Sequence, residues 1–268
     1  MISIIGFISD FGLEDTWVGV CHAVIYRACP QVRIVDLGHQ IPPFDIRKGA
    51  ATAAGGVYQI PEAIHLIVVD PGVGGGRRDL CIVTMNGTRL VGPDNGVLLP
   101  AAARSGGIRS VVALDAEKID RDAPLPTFHA RDVLAPAAAA LACGVEPAAL
   151  GTEIEAASLS AAPFGSYSLG GGYVNGETLE ADRFGSLRFN IPAEDLEMLG
   201  LRAPRLEIGI GHNSLIVPFG NTFADVVEGE PVALVDSSGW LTLAINTGSA
   251  AGRYGVAPGA HVRVRAIL

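Results

Sequence analysis

The chain of 268 residues is 49% hydrophobic and 18% charged, which suits a compact globular protein with a sizeable core and excludes a disordered one. Its formal net charge is -9, and no run of lysine or arginine exceeds two, so neither a nucleic acid nor an anionic membrane surface is expected as a partner. The longest weakly polar run, Val133 to Val145, is too short to span a bilayer and carries Pro136.

In chain order, Ile2 to Ile8 reads as a buried strand stopped by Ser9-Asp10-Phe11-Gly12, and its lack of a basic leader argues against a signal peptide. Trp17, Cys21, Val24 and Ala28 recur at helical spacing before Pro30. Ile34 to Leu37 predicts a second strand, Asp45 to Val57 a helix, and Ile64 to Val69 a third strand. That third strand breaks at Asp70-Pro71-Gly72 into a glycine-rich loop ending in Arg77-Arg78. Cys81 to Met85, Asn86-Gly87 and Thr88 to Val91 predict a hairpin. Val111 to Leu114 adds a strand, and Arg131 to Cys143 an alanine-rich helix. The alternation predicts an α/β domain with a largely parallel sheet over residues 1–160. After the glycine-rich stretch Ser158 to Gly172, short strands separated by turns predict an antiparallel β-barrel or sandwich over residues 173–268. These strands are Leu187 to Ile191, Leu206 to Ile210, Ser214 to Val217, Pro231 to Val235, Trp240 to Ile245 and His261 to Ile267. Cys21, Cys29, Cys81 and Cys143 lie far apart without a CxxC pair, so reduced, mostly buried thiols in a cytoplasm are expected.

Standard catalytic signatures are missing: there is no P-loop, no GxSxG, no HExxH and no complete dinucleotide fingerprint. No two of His22, His39, His65, His129, His212 and His261 are spaced as a metal pair, so no metal is expected, and a site could arise only by long-range convergence. What remains is a set of polar residues at strand ends: Asp10, then Asp36 with His39, then Asp70, with His129 just before the alanine-rich helix. In open α/β sheets such ends converge on a ligand crevice. Each also has a structural alternative. Asp10 could cap a helix, His39 could be a core histidine, and Asp70-Pro71-Gly72 could be a turn beside a solvated basic pair.

The segments Ser9-Asp10-Phe11-Gly12, Val35-Asp36-Leu37-Gly38-His39, Val69-Asp70-Pro71-Gly72-Val73-Gly74, Gly92-Pro93-Asp94-Asn95-Gly96 and Thr127-Phe128-His129-Ala130-Arg131-Asp132 resemble, in order and spacing, the S-adenosylmethionine (SAM) hydroxide adenosyltransferases. Asp182-Arg183-Phe184-Gly185-Ser186, Asn190, Ser237-Ser238-Gly239 and Ala244-Ile245-Asn246 extend the resemblance through the second domain. It implies an N-terminal α/β domain, a C-terminal β-barrel, and a homotrimer with SAM at subunit interfaces. It implies hydrolysis of SAM to adenosine and L-methionine without a cofactor, with Asp70, Arg77 and His129 as the catalytic trio. It places Asp10 on the ribose hydroxyls, Asp15 by the methionine ammonium, and Phe44 and Phe223 as apolar walls. Asp182, Ser186, Ser237 and Asn246 would contact the polar groups of methionine or adenine. Departures from the pattern are Ala130 for glycine, Ser186 for asparagine, and Ser238 and Ile245 for arginines of the fluorinating relatives. The alternatives are a halide-using 5′-halo-5′-deoxyadenosine synthase, related by the same resemblance, and a catalytically idle SAM- or adenosine-binding protein.

Overall fold

The computed structural model describes residues 3–119 and 125–267; Ile2, the expected start of the first strand, lies outside them. The chain forms two compact units, Met1–Pro163 and Phe164–Leu268.

The first unit runs β1 (Ile4–Ser9), α1 (Trp17–Ala28), β2 (Arg33–Gly38), α2 (Ile46–Gln59), β3 (Ile64–Val68), β4 (Asp79–Thr84), β5 (Arg89–Pro93), α3 (Leu99–Arg104), β6 (Ile108–Leu114), α4 (Ala116–Ile119), α5 (Ala135–Ala142) and β7 (Gly151–Ile154). Its strands form one sheet in the order β2-β1-β3-β5-β4-β6-β7. The first four are mutually parallel, as the β/α alternation predicts; β4, β6 and β7 extend the sheet by antiparallel pairing. The hairpin at Asn86-Gly87 forms as read, joining β4 to β5. Phe7, Leu66, Val68, Ile25 and Leu134 are among the residues of the core between this sheet and the helices α1 and α5. The helix expected from Arg131 to Cys143 is split. Ala130–Leu134 is a π-helical turn, with Ala135 N–H donating to the Ala130 carbonyl, and only Ala135–Ala142 is α-helical.

One expectation from the sequence is corrected. Cys29 and Cys143, separated by 114 positions, form a disulfide, while Cys21 and Cys81 are free and buried. Each bonded cysteine sits just past the C-terminus of a helix, α1 for Cys29 and α5 for Cys143, and those helices pack against each other. Their proximity is a product of packing that sequence spacing does not display. The cytoplasm expected from four separate thiols loses that support. Among the described residues, no helix is long and apolar enough to cross a membrane.

The second unit contains β8 (Ser168–Gly170), β9 (Tyr173–Ala181), β10 (Leu187–Pro192), β11 (Arg205–Ile210), β12 (Asn213–Pro218), β13 (Pro231–Val235), β14 (Trp240–Ile245) and β15 (His261–Ile267). Seven of them follow the order β12-β11-β15-β9-β10-β14-β13, with β8 beside β9, and all the pairings are antiparallel. Just past β12, Phe219 bridges Ala233 of β13, which brings the two ends of the sheet together as a barrel. Phe189, Leu206, Ile208, Leu241 and Leu243 fill its interior.

Candidate functional site

The parallel half of the first sheet brings its strand ends to one edge. Ser9 of β1 is in register with Val68 of β3, so Asp10 and Asp70 leave neighbouring strands on the same side. Antiparallel β4 starts at this edge because Asp79, its first residue, pairs with Pro93, the last of β5. An acid that opens a strand therefore lands beside acids that follow two others.

From Asp70 the chain crosses the glycine loop and returns as Arg77. Gly74 has a φ of 75°, and an added Cβ would collide with the backbone carbonyl of Pro126. The loop can thus lie backbone to backbone against the segment leading into His129, which only glycine permits. The two arginines separate. Arg78 turns to Asp94 and Ser158, with its Nε 2.8 Å from Asp94 Oδ2 and its Nη2 donating to the Ser158 carbonyl at 2.6 Å. It is a strut, not a solvated partner of Arg77. Arg77 turns to Asp70, donating from Nε at 2.9 Å to Oδ1 and from Nη2 at 2.5 Å to Oδ2. Its Nη1 donates to Asp79 Oδ1 at 2.7 Å, and Asp79 Oδ2 accepts from His129 Nδ1 at 2.7 Å.

The structure therefore brings Asp70, Arg77 and His129 together, but through a fourth residue, Asp79, that the sequence reading did not single out. The side chains of Asp70, Asp79 and Arg77 are 6%, 8% and 10% exposed, and that of His129 is 20% exposed. Burial alone would disfavour the guanidinium charge, but the hydrogen bonds and charges of Asp70 and Asp79 outweigh it and hold the Arg77 pKa above its usual value. Because a carboxylate only accepts, His129 Nδ1 is the protonated nitrogen, and Nε2 is left as the basic one. Arg77-Arg78-Asp79 contains the signal that would have found this residue. Along an extended segment, residues two apart point to the same side, so Asp79 follows Arg77 and not Arg78.

This chain of groups borders a cleft of about 660 Å³ whose walls include Asp10, Phe11, Trp17, Phe44, Asp70, Phe128, His129 and Ala130. That volume is in the range of small-molecule sites, and the walls combine aromatic surface with few charges, as such sites do. Asp10 Oδ2 accepts from Phe44 N–H at 2.9 Å, fixing Phe44 in a left-handed conformation (φ 69°) with the residue 70% exposed. Phe11 packs edge-on against Trp17 and Phe128, at 5.9 and 5.8 Å between centroids. Asp15 lies in an exposed turn outside the residues lining this cleft.

The expected second-domain residues occupy loops of the barrel. Asp182 and Ser186 flank the turn between β9 and β10, where Asp182 Oδ1 accepts from the backbone of Phe184 and Ser186. Asn246 follows β14 and donates to the Val226 carbonyl, whereas Ser237 lies in the turn at the other end of β14. Phe223 is 46% exposed in a short helical turn, and Ile245, the last residue of β14, is buried.

Comparison with known proteins adds an independent line. Residues 5–151 match the SAM hydroxide adenosyltransferase N-terminal domain, and residues 176–263 match the C-terminal domain. An (R)-S-adenosyl-L-methionine hydrolase of Salinispora tropica is 40% identical over 98% of this chain and 97% of its own length. One from Thermus thermophilus is 39% identical over 96% and 98%. A fluorinase of an Actinoplanes species covers 97% of both chains at 28% identity. The crystal structure of an uncharacterized conserved protein from Thermotoga maritima superposes with a TM-score of 0.88 at 31% identity, over 97% of this chain and 99% of that one. Both domain matches, in order and over most of the length, show that the chain belongs to the SAM hydroxide adenosyltransferase family.

Proposed function

We propose that the protein hydrolyses SAM to adenosine and L-methionine by attack of water on the ribose C5′. The observation that carries this reading is the hydrogen-bonded chain Asp70–Arg77–Asp79–His129, whose two ends, Asp70 and His129, line the cleft, in a member of this family. A sulfonium is already a good leaving group, so the site must supply an oriented nucleophile and a proton acceptor. Attack of a hydroxide-like oxygen on a sulfonium annihilates charge, which an apolar cleft favours.

Generating free hydroxide would mean lowering the pKa of water from about 15.7 to about 7, on the order of 12 kcal/mol. The residues here suit a smaller task, removal of the proton as the C–O bond forms. Asp70 has both oxygens engaged by Arg77, so it is a poor proton acceptor and a good fixed orienter of water. His129 Nε2 takes the proton, and Asp79 stabilises the resulting imidazolium through Nδ1. In this scheme Arg77 positions the two acids and does not touch the water. Asp10 accepts hydrogen bonds from the ribose diol, and Phe44 forms an apolar wall of the site. The active assembly is a homotrimer in which Asp182, Ser186, Phe223, Ser237 and Asn246 of a neighbouring copy, together with Asp15, complete the contacts to methionine and adenine. Light scattering that finds a monomer removes this part of the proposal.

The deciding experiment incubates the protein with SAM in ¹⁸O-water, with and without chloride, and resolves the products. Equal amounts of adenosine and methionine, with the label in the 5′-hydroxyl, support the proposal. A chloride-dependent 5′-chloro-5′-deoxyadenosine, or binding without turnover, overturns it.

A further inference from the structure

Away from the chain of acids around Arg77, three side chains meet between α1 and the edge strand β2. His22 Nε2 and His39 Nε2 each lie 2.9 Å from the same atom, Asp36 Oδ1, and the three donor atoms all fall within 4.8 Å of one another. The fold produces this meeting. Asp36 pairs with Phe7 across β1 and β2, and a register irregularity follows before Gly38 and His39. We propose that His22, Asp36 and His39 bind one divalent transition cation of the zinc class, with water completing its coordination.

The donors are right for such an ion. Two imidazole nitrogens and a carboxylate oxygen suit zinc, whereas calcium and magnesium prefer shells of oxygen. Tetrahedral zinc with bonds of about 2.0–2.1 Å sets its ligand atoms roughly 3.3 Å apart, so the two 2.9 Å pairs open by a few tenths of an ångström and the two imidazole nitrogens, which lie within 4.8 Å, settle to the same spacing. One of the ligands is already held in place. The His39 side chain is 3% exposed, and its Nδ1 lies 2.7 Å from Ser9 Oγ, which orients Nε2 toward Asp36. Outer partners of this kind fix ligand histidines in metal sites. The Phe7 ring packs edge-on against His39, with centroids 4.6 Å apart, and also lies beside His22.

Access is open on the other side, because the side chains of His22 and Asp36 are 25% and 44% exposed. The site also adjoins the cleft, since Ser9 precedes Asp10 and the His39 carbonyl accepts from Gly12 N–H at 2.7 Å. A bound ion would stiffen the segment that presents Asp10.

The test uses full-length protein without a histidine tag, stripped with EDTA and titrated calorimetrically with zinc chloride. The expected result is one equivalent bound per chain, no binding of magnesium, and a thermal midpoint raised by zinc through mass action. His22→Ala and Asp36→Asn change partly exposed groups and spare the buried ring of His39. Each is expected to weaken zinc binding by at least about tenfold. His212→Ala, at an exposed position in the barrel unit, leaves the isotherm unchanged. Cobalt loading should give visible d–d bands in the wild type that His22→Ala abolishes. Absence of a stoichiometric zinc isotherm, or an isotherm unaltered in both His22→Ala and Asp36→Asn, overturns the proposal.

Discussion

Replacing Asp79 by asparagine alters no shape and tests the proposed catalytic chain at its least obvious member. Each oxygen of Asp79 accepts one hydrogen bond, from Arg77 Nη1 and His129 Nδ1, both at 2.7 Å. An amide has one acceptor oxygen, and Arg77 can only donate, so the guanidinium claims it. The amide nitrogen then faces His129 Nδ1, donor against donor, unless the ring moves its proton to Nε2. That move blocks the nitrogen which, in the proposed reaction, accepts a proton from water. A lost general base is worth about 10²–10⁴ in rate, or roughly 2.7–5.4 kcal/mol at about 1.36 kcal/mol per decade. Steady-state adenosine release should therefore show kcat reduced by that range, with KM for SAM within about threefold of wild type. Because Asp79 acts through the histidine, adding Asp79→Asn to His129→Ala should cost nothing further. A fall in kcat below about tenfold in a folded Asp79→Asn protein, or full additivity with His129→Ala, refutes Asp79 as the positioning residue.

The adjacent arginines should behave differently. Arg77→Ala leaves the buried Asp70 without its cation and Asp79 with His129 alone, and should cost about 3–5 kcal/mol of stability in denaturant unfolding together with nearly all activity. Arg78→Ala releases Asp94 and Ser158 and should cost about 1.5–3 kcal/mol while leaving the kcat of the folded protein unchanged. Gly74→Ala puts a methyl group against the Pro126 carbonyl in a left-handed backbone, so circular dichroism should report a fold retained but kcat reduced, as the loop is driven from His129. Burial pushes the thiols of Cys21 and Cys81 up to about 12 from 9.0. Only the unfolded chain ionises them in between, so their stabilising effect is complete below pH 9.0 and lost as pH rises toward about 12. Urea midpoints should fall over that window, and less steeply in Cys81→Ala.

Much of this fold can be read in the sequence, because its strands are short apolar runs closed by unambiguous turns. Pro231–Val235, Trp240–Ile245 and His261–Ile267 carry the boundaries expected of them. Acids that end a strand, such as Asp10 and Asp70, are visible for the same reason: an apolar run stops at them. Asp79 escapes because it begins a strand and faces the site only through antiparallel pairing with β5. The convergence of His22, Asp36 and His39, and the pairing of Cys29 with Cys143, are tertiary facts. Neither has a local spacing to betray it, since each depends on where α1 lies against another element. The break in the alanine-rich helix escapes as well, because alanine favours an α-helix wherever propensity alone decides.

That break sets the aim of His129. A π-helical turn holds one residue more than the α-helix it replaces, and this one follows His129 directly, within the hydrogen bond from Ala135 to Ala130. Removing a single residue between Ala130 and Leu134 would let the turn close as ordinary α-helix, with α5 still packed in its place. Everything before the deletion would then rotate by about 100°, the angle of one helical residue, and the imidazole would swing away from Asp79. The distinction between a working site and a silent, well-folded scaffold thus rests on chain length at one turn. A relative shortened there could keep every polar residue of the cleft and still be unable to use them.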